Sequence, residues 1–279
     1  MMDFVEQISL RVSTALQHVN GIDAVVIGGS YATGDAMHQS DIDIGIYYGA
    51  DVELDVSTLN LVAQKLDDHQ RTQLVAPFGG WGEWVNAGAW LLIDGVSVDL
   101  ILRETQRVAN VIEDCESGSI SVHYQPGHPH AYINAMYMGE LALSRLLWSA
   151  TTHIPLLKTR AENYPDALQH ALLDFFGFEA RFSCELAIKT IERDDPYYLT
   201  AHCIRAISAM NQVIFALNRQ YIINEKKAIV RAMQCLIRPH MYQERVNAVM
   251  QTVGAAPDVA CSTLSMLIDE TTQLIPTQM

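Results

Sequence analysis

Hydrophobic residues near the start of the chain, over residues 3–19, recur at three- and four-residue spacing and predict one buried face of a helix. An Asn-Gly pair follows and predicts the end of that helix. The next apolar run, residues 24–27, contains only alanine, valine and isoleucine, which predicts a buried strand. Residues 52–68 predict a further helix, and residues 72–75 a short strand.

A β-hairpin is predicted where two apolar runs, residues 89–93 and 96–102, flank the pair Asp94-Gly95, because Asp-Gly suits a two-residue turn. Asp99 lies within the second run, on the face away from its valines and leucines. A buried carboxylate needs a partner. Asp99 is therefore either an acid that acts together with other acids or an edge-strand side chain that faces water. The acidic pair described below favours the first interpretation.

A Pro- and Gly-rich segment, residues 125–130, is the clearest boundary in the chain. Residues 120–124 predict a last strand before it. Helical periodicity prevails after it, near residues 130–149, 166–192, 196–219, 225–239, 241–253 and 258–274. The pattern predicts an α+β protein. Its N-terminal domain, residues 1–126, would hold a mixed sheet flanked by helices, and residues 127–279 would form an all-α bundle.

Two short motifs follow the strand predicted at residues 24–27. Gly28-Gly29 lets the backbone turn sharply and approach a ligand, since no Cβ intervenes. Ser30 comes next, where its hydroxyl and the nearby N–H groups either face a phosphate or only cap a turn. Asp41 and Asp43 are two residues apart at the start of a second strand, so both carboxylates project from one face. Two like charges side by side favour a bound cation, and carboxylate oxygens suit magnesium.

The segment of residues 77–84 combines glycine with aromatic residues and predicts a loop. Trp81 and Trp84 within it either line a pocket or cover the edge of the core. The sequence leaves both interpretations open.

Composition narrows the possible partners. The chain has 279 residues, of which 49% are hydrophobic and 18% charged, as in a globular protein. Its 18 Lys and Arg against 32 Asp and Glu give a formal net charge of -14, which disfavours nucleic acid as a partner without excluding it. The five cysteines are scattered and form no C-x-x-C pair, so we expect reduced thiols and a cytoplasmic protein. No apolar run is long enough to predict a membrane span, and the N-terminus does not predict a signal peptide.

Taken together, Gly28-Gly29-Ser30, Asp41-Ile42-Asp43 and Asp99 resemble the motif of the nucleotidyltransferase superfamily, the polymerase-beta-like enzymes. Asp41 follows Ser30 by eleven positions, which lies within the habit of that family. The resemblance covers roughly residues 20–105. The helical half is similar, more weakly, to the C-terminal domains of aminoglycoside and lincosamide nucleotidyltransferases, through residues 215–221 and Glu225-Lys226-Lys227.

The resemblance implies a magnesium-dependent enzyme that moves a nucleoside monophosphate, AMP from ATP, to a hydroxyl of a small acceptor such as an antibiotic. Asp41, Asp43 and Asp99 would bind two Mg²⁺ ions as the catalytic and metal-binding residues. Gly29, Ser30 and Lys226 would hold the triphosphate. Asp99 would ligate the second ion, act as general base, or both.

Other assignments stay open at this stage. In antibiotic-modifying relatives a glutamate can serve as the base, and Glu140, Glu179 and Glu185 on the bundle helices are candidates. Lys158 and Arg205 either bind the triphosphate or form ordinary ion pairs. The competing functions are a toxin–antitoxin-type enzyme that modifies tRNA or protein, and a non-catalytic nucleotide sensor. The sequence leaves a homodimer open.

Overall fold

The computed structural model describes residues 4–34, 36 and 40–276. The chain divides into two compact units. The first comprises the chain up to Glu113 together with Gln125–Gly127 and Tyr137–Asn163. The second comprises Asp114–Tyr124, His128–Met136 and the chain from Tyr164 onward.

The described residues form seven strands, numbered in chain order: β1 (Ile22–Ile27), β2 (Ile42–Tyr48), β3 (Ala87–Ile93), β4 (Val96–Glu104), β5 (Val122–His123), β6 (Tyr132–Ile133) and β7 (Arg145–Ser149). The α-helices in the same residues are α1 (Phe4–Leu16), α2 (Gly29–Thr33), α3 (Val56–Leu66), α4 (Thr105–Ser117), α5 (Ala135–Leu143), α6 (His153–Glu162), α7 (Asp166–Thr190), α8 (Pro196–Leu217), α9 (Ala228–Ala232), α10 (Tyr242–Thr252) and α11 (Pro257–Gln273). The predicted α+β fold is confirmed.

A five-stranded mixed sheet organises the first unit, in the order β3-β4-β2-β1-β7. β2 and β4 are parallel, and the other neighbouring strands are antiparallel. Alternation along β2 explains its two faces, since Ile42, Ile44 and Ile46 are fully buried while Asp43 between them is not. The apolar face of the sheet and the helices α1 and α3 share one hydrophobic core.

The predicted hairpin is confirmed as β3 and β4. Asp94 and Gly95 form its turn with φ values of 50° and 77°, the left-handed conformation that a two-residue hairpin turn requires. The strand predicted at residues 72–75 is wrong. That segment has no regular secondary structure, and the side chain of Asn60 on α3 accepts from the Val75 N–H at 3.0 Å.

Three later elements also differ from the sequence pattern. The helix predicted over residues 130–149 ends at Leu143, and β7 follows because the free edge of β1 supplies hydrogen bonds to it. The strand predicted at residues 120–124 shortens to β5, which pairs with β6 in a separate two-stranded sheet. The helix predicted at residues 225–239 shortens to α9, which begins after Lys227 at φ 60°.

Helices form most of the second unit. The predicted starts of its two longest helices are confirmed, because α7 begins at Asp166 and α8 at Pro196. Asp195 caps α8 by accepting from the Tyr198 N–H at 3.0 Å. No helix in the described part of the chain is long and apolar enough to span a membrane. All five cysteines are buried, and none of them forms a disulfide in that part of the chain.

Candidate active site

Asp43 and Asp99 occupy the same register position of the parallel strands β2 and β4. Their neighbours along each strand point into the core, because Ile42, Ile44 and Val98 have no exposed surface. Both carboxylates therefore leave the sheet on its other face, from strands that lie about 4.8 Å apart. Asp99, which the sequence suggested as a third acid beside Asp41 and Asp43, thus lies next to Asp43 on the same face of the sheet.

Asp41 belongs to the same electrostatic environment. It lies exposed at the entrance to β2. Burial, followed by the negative charge of Asp41, raises the pKa of Asp99 to about 6. Among the residues that the structure describes, no cationic side chain offsets these two effects on Asp99. The site therefore holds an excess of negative charge that a bound cation would relieve.

The glycine loop packs directly against Asp43. The Gly28 N–H donates to the Asp43 carbonyl oxygen at 2.8 Å. Gly29 has φ +55°, and a Cβ at this position would lie 1.7 Å from Oδ2 of Asp43. Only glycine fits here, because any side chain would displace the carboxylate. Ser30 follows in the first turn of α2, and its carbonyl oxygen accepts from the Gly34 N–H at the end of that helix.

These residues fit a divalent cation in donor chemistry, since carboxylate oxygens are the ligands that Mg²⁺ prefers. Within residues 4–34, 36 and 40–276, however, no three His, Cys, Asp or Glu side chains converge closely enough to bind a metal ion by themselves. Phosphate oxygens of a nucleotide would complete the coordination of an ion held by Asp43 and Asp99. Magnesium in nucleotide sites is commonly shared between carboxylates and phosphates in this way.

An aromatic pair continues the row of Asp43 and Asp99 across the sheet. Trp90 on β3 is the antiparallel register partner of Asp99. Its side chain is 61% exposed and stacks on Trp81 with ring centroids 4.6 Å apart. The sequence interpretation selected Trp81 and missed Trp90. The Asp94-Gly95 turn could have identified Trp90 from the sequence. It fixes the pairing of β3 with β4, and that pairing puts Trp90 opposite Asp99.

Trp84 covers the core rather than lining a site. It is 6% exposed, and its ring packs edge-on against Tyr137. Its backbone carbonyl oxygen also accepts from the Tyr137 hydroxyl. Of the two tryptophans singled out in the loop, only Trp81 therefore lies beside the acidic row.

Glu140 is engaged by Arg103 through two hydrogen bonds, from Nε at 2.8 Å and from Nη2 at 3.0 Å. Arg103 lies on β4 four residues beyond Asp99, which separates their Cα atoms by about 13 Å along the strand. The Arg103 guanidinium is almost fully buried and also donates to Val85 and Leu102 carbonyl oxygens. The structure thus places Glu140 in a structural ion pair at the other end of this face.

Lys158, also in the first unit, donates from Nζ to the carbonyl oxygens of Leu141 at 3.2 Å and Ala142 at 2.8 Å. It forms an ion pair with Glu162 at 2.9 Å as well. These contacts cap the end of α5, so the ordinary ion-pair interpretation of Lys158 is the one the structure favours.

The remaining candidates lie in the second unit. Glu179 accepts from Arg205 and from the Ser183 hydroxyl, which together lower its pKa despite burial. Glu185 is on the same helix, α7. Lys226 has an exposed side chain, and its backbone N–H donates to Oδ1 of Asn224 at 2.7 Å.

Residues 6–118 match the family model described as "Nucleotidyltransferase domain". This match places that stretch, which contains the glycine loop and all three acids, among the nucleotidyl-transfer enzymes, and it confirms the predicted class of enzyme. The domain implies a nucleoside triphosphate substrate, and its family generally uses divalent metals.

Two solved structures show low similarity to the chain. A nucleotidyltransferase-like protein from Exiguobacterium sibiricum 255-15 is 8% identical with a TM-score of 0.45, and the match covers 96% of this chain and 73% of that one. The E. coli MS115-1 CdnC:HORMA-deltaN complex is 13% identical with a TM-score of 0.26, and the match covers 96% and 91% of the two chains. Neither TM-score is high enough to show a shared fold. No curated protein matches the chain.

Proposed function

We propose that this protein is a magnesium-dependent nucleotidyltransferase that moves AMP from ATP to a hydroxyl of a small acceptor. The register of Asp43 beside Asp99 carries the proposal, because it aims two carboxylates from different strands at one point. Asp41 adds a third negative charge near that point. Gly29, packed against Asp43, puts the glycine loop at the same place.

In the proposed reaction, Asp41, Asp43 and Asp99 would hold magnesium, which would neutralise the charge that develops on the phosphates. Gly29 and Ser30 offer backbone N–H groups and a hydroxyl to the β- and γ-phosphates. The acceptor oxygen forms a bond to the α-phosphorus while the bond to the β-phosphate oxygen breaks, and pyrophosphate leaves. Asp99 receives the hydroxyl proton or orients the acceptor.

The charge distribution supports a small acceptor over a nucleic acid. The formal net charge of -14 repels a polyanion. Several basic side chains in the first unit are also engaged by acids, as Arg103 is by Glu140 and Arg145 by Glu6. An antibiotic acceptor is the narrower form of this proposal and rests on the sequence resemblance of residues 215–221 and 225–227.

Pyrophosphate release from ATP, with and without magnesium, tests the reaction. We expect Asp43→Asn and Asp99→Asn to lower the rate by at least about 100-fold, because each removes a charge that holds the metal. Asp51→Asn is the matched control, since Asp51 is an exposed acid of the same unit. Full magnesium-dependent activity in Asp43→Asn would overturn the proposal.

A second experiment addresses the acceptor. Labelled ATP is incubated with the protein and with aminoglycosides, lincosamides, tRNA or total protein, and transfer of the label is followed. We expect label on a small molecule. Label on tRNA or protein alone would contradict the small-acceptor proposal while leaving nucleotidyl transfer intact.

A further inference from the structure

We infer that Trp90, backed by Trp81, is a stacking platform for the acceptor, so that the acceptor carries its hydroxyl on or beside a ring. The role as an acceptor subsite rests on the proposed function. The platform itself rests on the geometry of the sheet, and its ability to bind a ring can be measured without turnover.

Strand order puts the relevant groups in one row. Trp90 is the register partner of Asp99, and Asp99 is the register partner of Asp43. Gly28 is hydrogen-bonded to Asp43 on the opposite side from β4. With neighbouring strands about 4.8 Å apart, the glycine loop and Trp90 lie on opposite sides of the acidic pair.

The geometry of the proposed reaction puts the leaving pyrophosphate and the acceptor on opposite sides of the acidic pair. In an in-line displacement at phosphorus, the attacking and leaving oxygens lie on opposite sides of the reacting atom. With the β- and γ-phosphates at Gly29 and Ser30, pyrophosphate leaves toward the glycine loop. The acceptor hydroxyl then enters from the side of Trp90, where the indole is the nearest large side chain of β3.

Contacts within the first unit hold Trp81, the rear ring of the platform, in place. Trp81 lies flat over Gly88, where a Cβ would come within 2.3 Å of the Trp81 ring. Gln125, which is 1% exposed, fixes the loop by donating to the Trp81 carbonyl oxygen at 2.6 Å and accepting from the Trp84 N–H at 3.0 Å. A preorganised aromatic surface loses little entropy when a ring stacks on it.

The edge of β3 does not need the Trp90 indole for its protection. β3 is an edge strand, but its outer backbone is already hydrogen-bonded. The Arg71 guanidinium donates to the Trp90 carbonyl oxygen at 3.0 Å, the Leu92 N–H donates to Asp67 at 3.0 Å, and the Gly88 carbonyl oxygen accepts from Ala76. This edge is therefore closed to an added strand.

The indole face selects the kind of ring. A planar base stacks on tryptophan, and the C–H face of a sugar or a cationic amino sugar also suits a π surface. The electron-rich face of the indole favours a neutral or cationic ring over an anionic one. Adenosine and kanamycin represent the two sources of such a ring, and glycerol is the hydroxyl compound without one.

Binding is tested first, by titrating wild type and Trp90→Phe with each compound while tryptophan fluorescence is followed. We expect adenosine or kanamycin, and not glycerol, to quench a signal that is present in wild type and lost in Trp90→Phe. Asp43→Asn should retain this quenching, because it leaves the indoles in place. Equal quenching in wild type and Trp90→Phe, or no quenching by either ring compound, would overturn the platform.

Steady-state kinetics then test whether the platform binds the acceptor during the reaction. For an acceptor found by label transfer, we expect Trp90→Leu to raise the acceptor KM about ten-fold, as loss of one stacking contact implies, with the KM for ATP unchanged. Trp90→Phe should recover most of the loss. Phe78→Leu is the control, since Phe78 is an exposed aromatic of the same loop that stacks on Tyr48 instead. An unchanged acceptor KM in Trp90→Leu refutes the platform alone, whereas full activity in Asp43→Asn refutes the proposed function.

Discussion

Asp43 and Asp99 stand side by side at one register position of the parallel strands β2 and β4. The residues on either side of each acid, Ile42 and Ile44 on β2 and Val98 and Leu100 on β4, are buried on the other face of the sheet, so neither carboxylate can turn away into the core. Parallel strands are never joined by a tight turn, and this pair therefore unites residues 56 positions apart in the chain. Two acids held together in this way cost stability unless a cation lies between them.

Asp99→Asn should stabilise the metal-free protein while it abolishes nucleotidyl transfer. The pKa of Asp99 is raised in the folded state to about 6 from 3.8, so the folded protein binds its proton more tightly than the unfolded chain does. The resulting stability is present below about pH 4 and is lost as the pH rises through about 6. Above that pH the ionised Asp99 destabilises the fold, and asparagine removes this effect. With an allowance for solvent screening, we expect a gain of about 1–2 kcal/mol at pH 8.

Urea unfolding in EDTA measures this gain in wild type and in Asp99→Asn. Most of the gain should disappear at pH 4, where the folded wild-type carboxyl is protonated and the unfolded one is only about half ionised. Asp51→Asn, at an exposed acid, should show no such dependence. A gain that is the same at both pH values would show that the raised pKa is not its cause.

Gly29→Ala should inactivate the protein, whereas Gly28→Ala should leave most of the activity. An alanine Cβ at Gly29 would lie 1.7 Å from the Asp43 carboxylate, and its φ of +55° is strained for alanine. At Gly28, φ is -117°, and a Cβ would meet nothing closer than 3.9 Å. We expect a loss of about 100-fold or more for Gly29→Ala, as for misplacement of a reacting group by about 1 Å.

Magnesium-dependent pyrophosphate release from the two glycine variants is the measurement, with circular dichroism as the check on folding. Equal activity of the two variants would mean that the position of Asp43 does not depend on Gly29. A folded Gly29→Ala protein with wild-type rates would show that the glycine loop and Asp43 do not form one site.

Local patterns predicted the parts of this site that depend on neighbours in sequence. Alternation placed Asp43 and Asp99 opposite their apolar neighbours, and Asp94-Gly95 predicted the hairpin. The same turn also determines that Trp90 pairs with Asp99, although the sequence interpretation considered tryptophan only in the loop of residues 77–84. Alternation also put Asp41 and Asp43 on one face and favoured Asp99 as a third acid, and the sequence resemblance then gave the three acids a common role.

Two features that the sequence did not predict, the strand β7 and the ion pair of Glu140, depend on residues far apart in the chain. Residues 145–149 carry apolar side chains that suit a helix or a strand, and the free edge of β1 decides for the strand. Similarly, nothing near Glu140 in the sequence indicates that Arg103 is its partner. A glutamate on a predicted helix therefore remained a candidate base until its contacts were known.

Glu140→Gln should destabilise the fold but leave the rate of nucleotidyl transfer nearly unchanged. Both carboxylate oxygens accept from Arg103, whose guanidinium is almost fully buried, and the variant removes the negative charge of this ion pair. We expect a loss of about 3 kcal/mol in the free energy of unfolding. The kcat, measured at a temperature where the variant is folded, should stay within about three-fold of wild type, because the pair lies about 13 Å along β4 from Asp99.

This pattern is the reverse of the one expected for Asp99→Asn, and the two variants serve as controls for each other. Urea unfolding and steady-state kinetics are measured on both. A kcat that falls by about 100-fold in folded Glu140→Gln would restore Glu140 as a candidate general base.

Asp67→Asn should weaken the edge of the sheet beside Trp90 in a pH-dependent manner. The buried Asp67 carboxylate accepts from Arg71 Nη2 at 2.6 Å and from the Leu92 N–H at 3.0 Å. The hydrogen bond from Arg71 is the main reason that the pKa of Asp67 lies well below its usual range. Stability from this depressed pKa is present above the unfolded value near 4 and is lost as the pH falls below it. Asparagine has no ionised carboxylate and cannot provide this stability. We therefore expect a loss of about 2 kcal/mol in the free energy of unfolding at pH 7.

Urea unfolding between pH 7 and pH 3 checks this expectation. The difference between wild type and Asp67→Asn should hold from pH 7 to about pH 5 and then shrink toward pH 3, because the wild type alone loses stability as protons bind on unfolding. Asp68→Asn is a neighbouring control, since Asp68 accepts from the exposed Asp94 and Gly95 N–H groups at 2.9 Å and its variant should cost less. A difference that stays constant down to pH 3 would assign the loss to packing rather than to the ionised carboxylate.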